Sequence, residues 1–201
     1  MCSRYYLEHT PDTDGIIEEM NRSPLMPRFV QKEQITTGGE VRPTQVVPVI
    51  ASNRSGVRTV FPMKWGFTGK TLLINARSET AATKPTFRDA WAAHRCIIPA
   101  SFYFEWEHIT DSQGRKKTGT KYMLRPEGTS MTWLSGLYRL EEGLPCFVIL
   151  TREPVDSIRF IHDRMPLMLP ESCIDTWIRP DASPETLLAS AVSSLTFYPS
   201  A

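Results

Sequence analysis

Cys2 holds the position with the most chemistry in this chain. Once Met1 is removed, a free α-amine and a thiol sit on adjacent carbons of one residue, a 1,2-aminothiol. The amine titrates at about 7.7–8.0 and the thiol at about 8.5, so a usable fraction of each is deprotonated at cellular pH. Such an amine adds to an aldehyde to give a Schiff base, and the thiol then closes on the imine carbon as a five-membered thiazolidine. A lysine imine has no comparable second step, so the aminothiol adduct persists. The ordinary alternative for a cysteine is a small buried apolar residue. Cys96 and Cys146, in apolar strand-like runs, and Cys173, on a helix, fit that description.

Two further groups could move protons. Glu105 lies in Ser101-Phe102-Tyr103-Phe104-Glu105-Trp106-Glu107, where alternation sends Phe102, Phe104 and Trp106 one way and Tyr103, Glu105 and Glu107 the other. A carboxyl among aromatics has a raised pKa and can relay a proton near neutrality, whereas a solvated strand carboxylate cannot. His162, in Phe160-Ile161-His162-Asp163-Arg164-Met165-Pro166, falls at a helix–strand junction and can pass a proton to or from a Schiff base; a structural, hydrogen-bonded imidazole is the alternative. Arg164 beside it could hold a phosphate. Asn75, Arg77 and Glu79 alternate after an apolar run, offering an amide and a guanidinium to a sugar-phosphate, or else capping a turn. Trp65, Phe67 and Trp106 supply flat faces on which unpaired bases could stack, though such aromatics are usually core.

The elements that must position these residues are short. The chain has 201 residues, 41% apolar and 22% charged, which suits a globular protein of one domain, residues 1–201, and excludes a disordered or fibrous one. Lys and Arg number 23 against 22 acidic residues, so contact with nucleic acid must come from a local patch. The four cysteines show neither a disulfide framework nor the spacing of a zinc site, and no metal or cofactor is expected. With no apolar run long enough to span a bilayer and no secretory signal, a cytoplasmic location is expected. Sixteen prolines cut the sequence into about nine strand-like runs, at 44–50, 59–67, 71–76, 95–99, 101–107, 121–125, 131–138, 146–151 and 165–169. Helices are expected from Thr10-Pro11 to Met20, over 87–94 with Thr86 as cap, from Pro170 to Ile178, and over 186–192 with Ser183 as cap. Residues 36–40 and 108–120 read as loops, the second with a basic, solvated tip. The fold class is α+β, strand-dominated, with a barrel-like antiparallel core and a few short helices.

Six blocks in order then resemble one family over essentially the whole chain: Met1-Cys2 with Arg4; Trp65-Gly66; Ile74-Asn75-Ala76-Arg77 with Glu79-Thr80; Arg95-Cys96 through Pro99-Ala100; Phe102-Tyr103 with Glu105-Trp106; and Ile161-His162-Asp163-Arg164-Met165-Pro166. Together they are similar to the SOS-response-associated peptidase (SRAP) family. The resemblance implies recognition of abasic sites in single-stranded DNA and covalent attachment through Cys2 as a thiazolidine. It implies Cys2 as nucleophile, Glu105 assisting sugar-ring opening, His162 at the Schiff-base step and Asn75 positioning the amine or sugar. Arg4, Arg77 and Arg164 would neutralise phosphates, with Trp65, Phe67 and Trp106 against bases. It also implies peptidase-like self-processing that removes Met1, and a lyase capacity; a monomer, nucleoid-associated when on DNA, is the default expectation, and the replication machinery is a candidate partner. Ser3 stands where the family usually has Gly, and Pro43 is the counterpart of a different loop motif.

Two other classes compete. A cysteine peptidase or amidohydrolase would use Cys2 to attack peptide carbonyls with repeated turnover. A non-catalytic module that stacks single strands would keep full function without Cys2.

Overall fold

Runs rich in β-branched and aromatic residues, each too short to bury a helix, make a protein dominated by strands. A computed structural model describes residues 2–30, 33–110 and 113–200. In chain order the elements are β1 (Arg4–Leu7), α1 (Pro11–Asn21), α2 (Met26–Val30), β2 (Gly39–Val41), β3 (Val46–Ser52), β4 (Arg58–Trp65), β5 (Asn75–Arg77), α3 (Ser78–Ala81) and α4 (Arg88–Ala93). There follow β6 (Arg95–Ala100), β7 (Phe102–Thr110), β8 (Lys116–Pro126), β9 (Thr132–Glu141), β10 (Leu144–Arg152), β11 (Met165–Pro166), α5 (Ile174–Ile178), α6 (Glu185–Leu188) and β12 (Leu195–Pro199).

Five strands close on themselves. β10, β4, β3, β6 and β9 pair in that order, and β9 pairs again with β10, which removes both edges. The junctions are antiparallel except the seam between β4 and β10, which is parallel with Cys146 opposite Lys64 and Phe147 opposite Trp65. Gly136 makes the closure fit: a Cβ there would sit 2.8 Å from the carbonyl oxygen of Val148. β5 and β11 add to β10 beside the ring. A second, fully antiparallel sheet runs β12-β8-β7-β1-β2 and places β1 between two neighbours.

Both faces of the ring are buried, which is why its strands read as nearly unbroken apolar runs. Ile50, Ile97, Val148 and Leu150 join Met20, Trp91 and Trp177 from the helices. Val47, Val49, Cys96, Ile98 and Phe147 join Cys2, Tyr5 and Tyr103 from the second sheet. Arg95 is 1% exposed yet satisfied, donating to the carbonyls of Trp91, Ala92, Trp177, Arg179 and Ala182, the orphan acceptors at the ends of α4 and α5.

Several local expectations need correction. Thr10 does cap α1, its Oγ1 accepting from the Thr13 N–H at 3.3 Å. Thr86 does not cap α4, whose N-cap is Phe87, and Ser183 bonds the Glu185 carboxylate while Pro184 takes the N-cap of α6. The stretch 36–40 contributes to β2, because β1 offers it an open edge. The stretch 108–120 extends the β7–β8 hairpin, with Thr110 paired to Lys116; Asp111 and Ser112 lie outside the described residues.

Candidate functional site

β1 starts two residues after Cys2, and its pairing on both sides fixes where the amino-terminal segment lies. Cys2 is 0% exposed and packs in the same cluster as Tyr5, Trp65 and Tyr103. Its Sγ donates to the Arg4 carbonyl at 3.8 Å. Burial, with a contribution from the Glu105 carboxylate, pushes the thiol pKa well above its ordinary value. In the chain that retains Met1 the thiol is therefore held protonated; the expectation of reactivity without tuning concerns the chain from which Met1 has been removed. Asn75, at the start of β5, reaches across with Nδ2 to donate to the Cys2 carbonyl at 2.9 Å. Among the described residues only Thr44 and Glu142 are non-glycines with positive φ, so Ser3 needs none of a glycine's freedom.

Glu105 is 5% exposed, which decides against a solvated carboxylate. Burial raises its pKa, while the positive amino-terminal charge and the Trp106 N–H, donating to Oε1 at 3.4 Å, oppose the rise. His162 is also buried, after a 3-10 turn at Asp156–Ile158. Burial first, then the amino-terminal charge, lowers its pKa to about 4, so the ring is neutral at pH 7. Its Nδ1 accepts from the Arg164 N–H at 3.0 Å and lies 2.7 Å from Asp163 Oδ1. The amino-terminal charge bears on both Glu105 and His162, Glu105 bears on the Cys2 thiol, and Asn75 bonds the Cys2 backbone. The four residues named from sequence thus converge on one end of the chain, bringing together a protonatable carboxyl, a neutral imidazole, an amide donor and a thiol.

The residues named for binding separate into two groups. Trp65 and Phe67 are fully buried; Trp65 donates Nε1–H to the Ile74 carbonyl at 2.9 Å, and neither ring has a face for a base. Between them Gly66 has a φ of +120°, and a Cβ there would meet Leu72 Cδ1 at 2.7 Å. Arg164 is 9% exposed and bound to Glu79 and to the Thr151 carbonyl, so it braces the fold and is not open to phosphate. Arg77 is exposed, and Arg4 and Trp106 are half-buried. Arg4 belongs to a cluster that sequence reading missed: Arg4, Arg42 and Lys121 surround the single carboxylate of Glu40 at 3.5, 2.9 and 3.7 Å. Lys121 Nζ also lies 3.9 Å from the centre of the Phe104 ring and 5.8 Å from that of Trp106. Lys121 stands directly opposite Trp106 in the β7–β8 register, a relation that exists only once the strands are paired.

The model of one family, SOS response associated peptidase (SRAP), matches residues 1–200. The chain belongs to this family. Among curated SRAP relatives, "Abasic site processing protein YoaM" of Bacillus subtilis is 30% identical over 201 residues, covering 93% of this chain and 83% of that protein. "Abasic site processing protein YoqW" of the same organism is 29% identical over 193 residues, covering 90% and 81%. "Abasic site processing protein YedK" of Escherichia coli is 28% identical, covering 91% and 82%. A crystal structure of a Bacteroides thetaiotaomicron protein superposes with a TM-score of 0.71 at 20% identity, covering 98% of this chain and 91% of that one. A phage-related protein from Bordetella bronchiseptica gives 0.71 at 19%, covering 99% and 94%. These structures share the SRAP fold of closed barrel and flanking sheet.

Proposed function

We propose that this protein, as a single SRAP-type domain over residues 1–201, captures abasic sites in single-stranded DNA by bonding covalently to them through Cys2. The observation that carries the reading is the Asn75 amide holding the Cys2 carbonyl at 2.9 Å, in a site that also contains a buried carboxyl and a neutral imidazole. An abasic deoxyribose is a cyclic hemiacetal in equilibrium with its aldehyde, and the protonatable carboxyl suits the proton donation that its opening needs.

The steps balance as follows. The Glu105 carboxyl, kept protonated to higher pH by burial, gives its proton to the ring oxygen and takes back the proton of the C1 hydroxyl, and the aldehyde appears. The Cys2 amine, freed by self-processing that removes Met1, adds to C1. The protons that the amine sheds pass through neutral His162 to the carbinolamine oxygen, which leaves as water, and the Schiff base forms. The thiol adds to the imine carbon, its proton passes to the nitrogen, and the thiazolidine closes. With C1 held in the ring, the strand is protected from β-elimination; opening the Schiff base toward elimination instead would constitute the lyase activity.

Arg77, the cluster of Arg4, Arg42 and Lys121, and the Trp106 face would bind the strand. The protein would act as a monomer in the cytoplasm, on the nucleoid when engaged with replicating DNA.

The test is the intact mass of the purified protein, alone and after mixing with single-stranded DNA carrying one abasic site. A species lacking Met1, and a denaturation-resistant conjugate that Cys2→Ala abolishes, are expected. Retained Met1 with no conjugate would overturn the reading, as would repeated turnover of peptides by the same site.

A further inference from the structure

His108 plays no part in the chemistry above, yet it faces the one imidazole that does. The His108 and His162 rings lie 4.0 Å apart, centre to centre, inclined at 54°. Two features hold them there. The β7–β8 register shifts between Trp106 and His108, and the His108 N–H donates to the Ile161 carbonyl at 3.0 Å, tying the strand that bears one histidine to the turn that bears the other. Asp163 adds a carboxylate, with Oδ1 2.7 Å from His162 Nδ1. One donor atom from each of the three side chains falls within 4.8 Å of the other two. A tetrahedral ion with bonds of about 2.0–2.1 Å needs its donors roughly 3.4 Å apart, and His108 and Asp163, both exposed, are the side chains that would turn to meet it.

The contacts at His162 Nδ1 conflict as they stand. If Nδ1 lacks a proton it accepts from Arg164 N–H but sets its lone pair against a carboxylate; if it carries one, it serves Asp163 and opposes the Arg164 N–H. A cation shared by the carboxylate and the imidazole removes the repulsion between lone pair and carboxylate, at the cost of the Arg164 N–H bond where Nδ1 is the ligand. Two imidazoles, one carboxylate and an open side toward solvent are the donor set of Zn²⁺ and of its substitutes Co²⁺ and Ni²⁺, and a poor one for Mg²⁺ or Ca²⁺.

We propose that His108, His162 and Asp163 form a binding site for a zinc-like divalent cation, and that the bound ion arrests DNA capture by occupying His162. The second half rests on the role given to His162 under the proposed function; the first does not.

Because the aminothiol of Cys2 is itself a chelator, binding is measured on full-length Cys2→Ser protein without DNA. Calorimetric titration with Zn²⁺ and the visible absorption of Co²⁺ should report one equivalent. His108→Ala and Asp163→Asn, each exposed and each checked for an unchanged melting temperature, should weaken it about tenfold or more. Undetectable binding, or affinity in both variants unchanged from that of the Cys2→Ser parent, would overturn the site. In a separate arm, wild-type protein is incubated with abasic single-stranded DNA across Zn²⁺ concentrations, with and without EDTA. Half-inhibition should need about tenfold more Zn²⁺ in His108→Ala, and EDTA should restore conjugation. Equal sensitivity in the two proteins would overturn the inhibitory role, while failure to conjugate even with EDTA would count against the proposed function and leave the binding result standing.

Discussion

Arg164 meets Glu79 through both arms of its guanidinium, Nη1 to Oε1 and Nη2 to Oε2, each at 2.8 Å. Nη2 also donates to the Thr151 carbonyl at 2.7 Å, so one side chain joins the turn bearing His162 to α3 and to the end of β10. Burial alone would raise the Glu79 pKa; the bonds from Arg164 and from backbone N–H groups outweigh it and hold the carboxyl below its ordinary value. The pair is a brace. Arg164→Lys cannot reproduce the fork and should cost about 2 kcal/mol. At roughly 2–4 °C per kcal/mol the melting temperature should fall by about 4–8 °C. The salt dependence of DNA binding should stay as in the wild type; a reduced salt slope at unchanged stability would make Arg164 a phosphate ligand after all.

Arg77 and Lys121 should behave in the opposite way. Arg77→Ala and Lys121→Ala should each lower the slope of log affinity against log salt by about one and leave folding intact. Trp106→Ala should weaken strand binding by about 1–3 kcal/mol. Trp65→Ala should instead destabilise the protein by about 3–5 kcal/mol through the cavity it leaves in the core. Fluorescence anisotropy over a salt series, beside chemical denaturation, separates the two kinds of effect.

Asn75 is expected to act by holding the Cys2 backbone. Asn75→Ala removes a hydrogen bond worth about 1 kcal/mol and should slow conjugation roughly five-fold with strand affinity unchanged. Single-turnover rates on an abasic oligonucleotide check this, and a rate equal to wild type would reduce the bond to a structural one.

The lowered pKa of His162 has a signature in stability. Its folded value of about 4 lies below the ordinary 6.5, so the unfolded chain takes up the proton first as pH falls. The neutral ring's contribution is therefore fully present above pH 6.5 and is lost progressively between 6.5 and 4. Denaturation midpoints for the wild type and His162→Gln should diverge through that window, the wild type declining more steeply toward acid. Parallel curves would mean that the ring is not held neutral.

Thiol reactivity should rank by burial. In protein that retains Met1, Cys173 is half-buried whereas Cys2, Cys96 and Cys146 are buried, and burial pushes the Cys146 thiol up to about 12. Timed alkylation read by peptide mass should label Cys173 first, and Cys2 only slowly. Rapid labelling of Cys2 would show the burial to be transient.

What the sequence made legible was what local pattern encodes. The alternation around Glu105 and the apolar runs of β3, β6 and β10 identify strands without knowledge of any partner, while the burial of the Glu105 carboxyl is decided only by the fold. The missed strands β1, β2 and β12 are short and polar on one face; each becomes a strand because a neighbour far along the chain offers it an edge. The same gap explains Trp65 and Arg164. A flat ring and a guanidinium look alike in sequence whether they meet DNA or the protein's own Ile74 carbonyl and Glu79 carboxylate, and only the fold assigns the partner.

The position of β1 also sets an order of events during synthesis. Its partners, β2 and β7, begin at Gly39 and Phe102, so when the amino terminus leaves the ribosome neither exists to pair with it. The segment bearing Cys2 has a partner on one side at most, β2, until about half the chain has been made, and becomes enclosed only when β7 arrives. An outside aminopeptidase thus meets an open substrate early in translation, whereas processing by the protein's own residues must wait for Glu105 and His162. On the proposed function, maturation would be divided in time between a window belonging to other enzymes and one belonging to the finished fold.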